Sequence, residues 1–376
     1  MNKEKDIILK LEDILNFKNK LETPLKKGAF TRKRIFTFPI CILSFLLNGS
    51  YGFSLGISHL ISKMFVLEVW TNINKIPSAK GYNKACDKIP SQAIAELVNI
   101  SYKLESRSNE ELFHGLKVTV VDGTHINVQR TEETIETFGL GSGTTGDAHY
   151  PQTQTVGFYN LSTGTFEEVI SKYINTPERK IMQDHAKKNE IPTLYLADAG
   201  YNGMAHIAMI KTLFEQDILM QLKMGTAFAK KFLASKKRSQ IFEIKLTKVH
   251  LRNYSELSRL QGTMLKIRLI RTRGTTKLRS QLLITTLIDE KQFPWEELAL
   301  LYLQRYKVEL AFRHLKSSIG IEKIKKQKIL RIEQLLQAGV LLFNISVILR
   351  NVVKQNSLLP KKKGIKVYCP AVLGEL

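Results

Sequence analysis

Between residues 116 and 224 short β-branched runs alternate with segments of helical period, and the order of that alternation limits the fold more than any other feature of the chain. "LKVTVVDG" reads as a strand closing in the tight turn that Asp122-Gly123 suggests, "THINV" as a second strand, and "QTQTVGFYN" (152–160) as a third, ended by "LSTG". "PERKIMQDHAKKN" (177–189) starts with Pro, which is favoured at a helix N-terminus, and reads as a helix. "TLYLADAGY" (193–201) is a buried strand running into Asp198, "GMAHIAMIKTLFEQ" a helix, and "DILMQLKM" (217–224) another strand. Three consecutive strands followed by helix, strand, helix, strand predict a mixed sheet flanked by helices, an α/β (α+β mixed) architecture. The loop "GLGSGTTGD" (139–147) lacks the Gly-Lys-Ser/Thr of a phosphate-binding loop and opens no helix, so it points only weakly to a nucleotide.

The flanks differ in character. Residues 1–110 read as helical: "KDIILKLEDIL", "TRKRIFTFPICILSFLLN" and "PSQAIAELVNISYKL" carry helical spacing, with bases at Lys26, Lys27, Arg32, Lys33 and Arg34. Residues 225–288 turn to alternating basic strands, "IFEIKLTKV", "MLKIRLIRTRG" and "SQLLITTLI", a β-rich insertion with Lys and Arg on one face. A helix over 301–320, the basic "EKIKKQK" (322–328) and a last long helix follow. The apolar runs 35–47 and 335–353 read as buried helices: the first is too short for a bilayer, and the second contains Gln337, Asn344 and Arg350. At 376 residues two or three units are expected. Cys41, Cys86 and Cys369 form no CxxC pair, which argues against a zinc ribbon or a disulfide framework and for a reducing compartment. The chain holds 57 Lys plus Arg against 34 Asp plus Glu, a net charge of +23, and that field favours a polyanionic partner, nucleic acid or an acidic membrane surface.

"LYLQRYKVELAFRHLKSSIG" (301–320) reads as one helix with a lone acid among bases and phenols. At about 100° per residue, Tyr302, Arg305, Glu309 and Lys316 share an arc of roughly 60°, beside an apolar stripe. Glu309 then joins Asp122 and Asp198 as a third carboxylate on a third element, with separations of 198 − 122 = 76 and 309 − 198 = 111 residues. If the first and fourth strands are neighbours, both aspartates emerge at one edge, where a packed helix can present its Glu. Three unbalanced carboxylates repel unless a cation lies among them, and hard oxygen ligands select Mg²⁺, with Mn²⁺ able to substitute.

The helix carries Tyr-x2-Arg-x3-Glu-x6-Lys in register at Tyr302, Arg305, Glu309 and Lys316. In this it resembles the YREK group of bacterial insertion-sequence transposases, DDE enzymes with an RNase H-like core. "VVDGTHINV" and "LADAGY" resemble the segments that carry the group's two aspartates, and the likeness spans roughly residues 30 to 350. The resemblance implies an N-terminal helical DNA-binding region (1–110), a catalytic core in two parts (111–224 and 289–325) around the insertion 225–288, and a C-terminal helical region (326–376). It implies that Asp122, Asp198 and Glu309 hold two Mg²⁺ ions for strand cleavage and strand transfer, and that Tyr302, Arg305 and Lys316 contact DNA phosphate. The expected partners are double-stranded DNA, as terminal inverted repeats and target, and a second copy forming a homodimer on it; a cytoplasmic, nucleoid-associated location and no membrane are expected. Some relatives stack a flipped base on a Trp of the insertion; here Trp70 and Trp295 both lie outside it, which leaves Phe228, Phe232, Phe242 or Tyr254. Two other functions share these features: a structure-specific nuclease on the same core, and a non-catalytic DNA-binding repressor.

Overall fold

The computed structural model describes residues 21–25, 29–30, 35–69, 75–143, 146–222, 225–235, 237–252, 254–272 and 281–356. The helix read at "KDIILKLEDIL" and the bases Lys26, Lys27, Arg32, Lys33 and Arg34 lie outside them. The amino-terminal part is helical: α1 (Phe38–Ser50), α2 (Ile57–Val66), α3 (Ala79–Cys86) and α4 (Ser91–Asn109). The Thr37 hydroxyl accepts from the Ile40 amide to open α1, and Ser78 accepts from Gly81 to open α3, each satisfying a donor that the first helical turn leaves free. Cys41 of α1 and Cys86 of α3 are both buried free thiols, and they belong to one core although 45 residues (86 − 41) separate them.

Next come β1 (Lys117–Asn127), α5 (Glu132–Phe138), β2 (Leu140–Gly143), β3 (Gly146–Asn160), β4 (Phe166–Tyr173), α6 (Glu178–Lys188), β5 (Thr193–Ala197), α7 (Met204–Thr212) and β6 (Asp217–Gln221). The sheet is mixed. β1, β3 and β4 are antiparallel neighbours, whereas β1–β5 and β5–β6 are parallel. The order β4-β3-β1-β5-β6 is that of an RNase H-like core, as the resemblance implied. Three local expectations change. Asp122-Gly123 is no turn, for β1 runs straight through it and Gly123 pairs with Val156. The strands read as first and second are therefore one. The third antiparallel strand is instead β4, in "FEEVISKY", and part of the Gly/Thr-rich loop forms β2, paired with β3.

The carboxy-terminal half contains α8 (Ala227–Ala234), β7 (Ser239–Lys245), α9 (Lys248–Leu251), β8 (Met264–Arg271), β9 (Leu282–Thr285), α10 (Trp295–Leu303), α11 (Tyr306–His314) and α12 (Ile329–Asn356). The basic strands continue the central sheet past β6 in the order β9-β8-β7, so this segment extends the core sheet. Its cations do not all share a wet face. Arg268 is 1% exposed, held by the Ser239 hydroxyl, the Phe293 carbonyl and Glu290. Arg271 donates to the carbonyls of Phe232 and Leu233 and lies over the Phe232 ring. Phe232 itself is buried, and Phe228, Phe242 and Tyr254 pack against the same core.

The segment 301–320 is not one regular helix. α10 stops at Leu303, the chain tightens through Gln304 and Arg305 with hydrogen bonds three residues back, α11 resumes, and a π-helical turn (Leu315–Ile319) ends at Gly320 in the left-handed region. Two cores result. Alternation along the strands sends Val118, Val120, Leu194 and Leu196 towards α1, α4 and α10–α12, and Val121, Tyr195 and Ala197 towards α6 and α7. By length and composition α12 could cross a bilayer, yet 78% of its apolar window is buried inside the fold. Asn344 accounts for part of that. It donates to the Phe166 carbonyl and the Ser101 hydroxyl and accepts from the Phe166 amide, which joins α12, α4 and β4.

Candidate active site

Strand register places the two aspartates. In the β1–β5 pair, Lys117 faces Thr193 and Val120 faces Leu196, a constant offset of 76 residues. Asp122 and Asp198 are separated by the same 76 (198 − 122), so the register carried two residues on sets them side by side. Alternation after Val118 and Val120 turns Asp122 to the face on which α11 packs. Asp198 leaves the end of β5 and caps a short 3₁₀ turn, Ala199–Tyr201, where its Oδ1 accepts from the Gly200 amide at 2.7 Å.

Arg305 connects the third carboxylate to the first. Its Nη1 lies 4.0 Å from Asp122 Oδ1 and its Nη2 donates to Glu309 Oε1. Among the described residues no three of His, Cys, Asp and Glu are gathered into a metal-holding group; the guanidinium takes the position of the neutralising cation. Side-chain exposure rises from 18% at Asp122 to 47% at Glu309, so Glu309 stands at the mouth and Asp122 inside it. Burial raises the Asp122 carboxyl to about 7, helped by Glu309, Asp198 and Glu178 and opposed by Arg305.

The other two residues of the signature hold the site from its flanks. Tyr302 is 4% exposed, and its hydroxyl donates to the Ala197 carbonyl at 3.1 Å, which ties α10 to the residue before Asp198. The phenol expected at phosphate is spent here on the strand end. Lys316 Nζ donates to the His125 carbonyl at 2.7 Å and pairs with Glu322 at 3.2 Å, reaching from the π turn to β1. Three elements distant in sequence thus meet around Asp122.

Sequence reasoning passed over two further residues. Tyr201 is 1% exposed, and burial first, then the Glu178 carboxylate that faces its hydroxyl, with Asp122 and Asp198 beyond, push its phenol well above the ordinary value. Glu178, in the first turn of α6, lies against Gly123. Neither had a local signal beyond its place in "PERK" and "DAGY". Hard oxygen donors on three elements, and a half-buried carboxyl lifted by burial and by its acidic neighbours, suit a divalent cation at this edge.

A family model described as "Transposase DDE domain" matches residues 113–345, a span that includes Asp122, Asp198, Tyr302, Arg305, Glu309 and Lys316. Among solved structures the chain is similar to a piggyBac transposase synaptic complex with hairpin DNA, determined by cryo-EM. The identity is 9% and the TM-score 0.46, over 93% of this chain and 73% of that one. No curated protein gives a match.

Proposed function

We propose that this chain, which belongs to the transposase DDE domain family, cuts the ends of its own mobile element and joins them to target DNA by metal-dependent phosphoryl transfer, as a bacterial insertion-sequence enzyme of the YREK type. The observation that carries the reading is the shared 76-residue offset, which brings Asp122 and Asp198 to one level beneath the helix bearing Glu309. These three carboxylates would hold the divalent cations. When bound, a pair of Mg²⁺ or Mn²⁺ ions would activate a water or 3′-hydroxyl and stabilise the leaving oxygen.

The chain's own residues do the rest. Arg305 pairs with Glu309 and lies beside Asp122 in the free protein, and its guanidinium is the cation of the signature placed to meet a DNA phosphate. Lys316 supplies a second positive contact at the β1 edge, while Tyr302 keeps Asp198 in place through the Ala197 carbonyl. The excess of bases, +23 overall, draws double-stranded DNA, and two copies act together on the paired ends. Work inside the cytoplasm, at the nucleoid, follows from that partner.

The test incubates the full-length protein and Mg²⁺ with DNA from the two flanks of its gene and a supercoiled target. Cleaved and joined products support the reading. Cleavage without joining would mean a nuclease, and binding without cleavage a repressor.

A further inference from the structure

We infer that the cavity where α1, α2 and α3 meet the start of α12 is a second ligand site, built for a small organic phosphate of mononucleotide size. The inference stands apart from the carboxylate site and from the reaction proposed there.

The first observation is the cavity itself. The basic run "EKIKKQK" (322–328) leads into α12, and apart from Glu322, which pairs with Lys316, it takes no part in the carboxylate site. Its last residues close a cavity of about 320 Å³. Ile57 and Leu60 of α2, Tyr82 of α3 and Leu335 of α12 form the apolar part of the wall. A hollow of roughly 300 Å³ or more, apolar with a few converging polar groups, is the usual form of a small-molecule site. The backbone of a nucleic acid is tracked by an open, positively charged groove instead.

The second observation is charge. Lys326, Lys328 and Arg331 line the cavity against one acid, Asp87. Asp87 pairs with Lys328 at 2.8 Å and with Arg331 at 3.2 Å, so a net of two positive charges (3 − 1) remains. Lys326 has no ion-pair partner among the described residues. Burial first, then Arg331, holds its ammonium below the ordinary value. The first turn of α12 carries no acid, and the positive end of this 28-residue helix adds to the field. A phosphate monoester, with a charge of about −1.5 to −2, matches that balance.

The third observation is a buried amide with a donor to spare. Asn48 of α1 is 4% exposed and lines the cavity. Its Oδ1 accepts from the Leu55 amide at 3.2 Å, while its Nδ2 has no acceptor among the described residues. Asn83, on the same wall, has no side-chain hydrogen bond there either. The Tyr82 hydroxyl, by contrast, is satisfied by Ser44 at 2.9 Å. Buried amides are normally satisfied, and a ligand with donor and acceptor edges, as a nucleobase has, supplies what these two lack.

The experiment is isothermal titration calorimetry of the full-length protein, without DNA or metal, with adenosine 5′-monophosphate (AMP) and inorganic phosphate as probes. AMP should bind once per chain and at least about tenfold tighter than phosphate, because only AMP also covers the apolar wall. Lys326→Met should weaken AMP binding by at least about tenfold and leave the melting temperature of the unliganded protein no lower. Lys325→Met removes an exposed base of the same run that does not line the cavity, and should change neither. Asn83→Asp, which puts a negative charge on the half-buried wall, should weaken AMP binding too, and it gives a second reading if Lys326→Met fails to fold. AMP binding no tighter than phosphate would overturn the inference, as would no binding at all. Equal losses in Lys326→Met and Lys325→Met would also overturn it, by showing that only the general positive field is at work. If AMP fails while a single-stranded oligonucleotide loses affinity in Lys326→Met, the wall belongs to DNA and the inference falls. None of these outcomes bears on the carboxylates.

Discussion

Replacing Asp122 by Asn should make the metal-free protein more stable, and only at a pH where the aspartate is ionised in the unfolded chain. Burial above all, with Glu309, Asp198 and Glu178 adding to it and Arg305 opposing, raises this carboxyl from 3.8 to about 7. A shift of about three units corresponds to a ceiling of roughly 4 kcal/mol, at about 1.4 kcal/mol per unit. The folded pKa lies above the unfolded one, so the folded state binds the proton more tightly. The stabilisation from this group is complete below the unfolded value of 3.8 and is lost as the pH rises through about 7. The amide mimics the protonated acid at every pH. The two proteins should therefore unfold alike only below about pH 3.5; at about pH 5 the variant should already be the more stable by roughly 1.5 kcal/mol, and at about pH 8.5 by up to roughly 4 kcal/mol. Urea unfolding in EDTA at both pH values measures the difference, and other titrating groups cancel between the two proteins. Adding Mg²⁺ at the higher pH should reverse the order, since only the wild type keeps all three carboxylates. A difference that stays constant between the two pH values would refute the view that burial holds the Asp122 carboxyl above its ordinary value.

Tyr302→Phe should cost about 0.5–1.5 kcal/mol in urea unfolding, by orphaning the Ala197 carbonyl, and leave the salt dependence of DNA binding untouched. A flatter salt dependence would return Tyr302 to the phosphates. Arg305→Ala should flatten the slope of log K against log salt by about 0.9, whereas Arg268→Met should leave the slope alone and lower stability by about 1–3 kcal/mol, because its donors serve buried partners. Equal slopes for the two variants in binding titrations would contradict that division. Asn344→Ala leaves both the amide and the carbonyl of Phe166 without their partner, and should lower the unfolding free energy by roughly 2–4 kcal/mol, read by urea titration; a loss below about half that would mean water replaces the amide.

Much of this could be read from the sequence because it depends on order and count. The 76-residue spacing of Asp122 and Asp198 is a sequence quantity that equals a sheet register, and strand order alone makes β1 and β5 neighbours. What was illegible depended on packing between distant segments. Asp-Gly is a turn signal when the glycine adopts positive φ, but Gly123 is a glycine because Glu178 lies over it, and no local pattern announces that. The break in 301–320 likewise has no Gly or Pro to mark it. It lies between anchors at Ala197 and His125, more than a hundred residues away along the chain. Arg268 alternates in sequence like a surface base, yet it is buried because Ser239, Phe293 and Glu290 arrange acceptors around it. Periodicity reports which face a residue occupies and not whether that face is wet.

The placement of α12 bears on synthesis. The helix lies along α4 and α1, with Gln334 donating to the carbonyls of Cys86 and Ile89, so the apolar faces of the first helices are covered by the last one. α4 ends at Asn109 and α12 begins at Ile329, which leaves 328 − 109 = 219 residues to be made in between. At about 5–20 residues per second a ribosome needs roughly 11–44 s for that interval. Throughout it the newborn amino-terminal helices have no lid, and they must stay soluble in the care of chaperones or by transient collapse. A message cut short before residue 329 would release a chain whose helices can never close, which makes a truncated copy a substrate for proteolysis and not a stable inhibitor of the full-length protein.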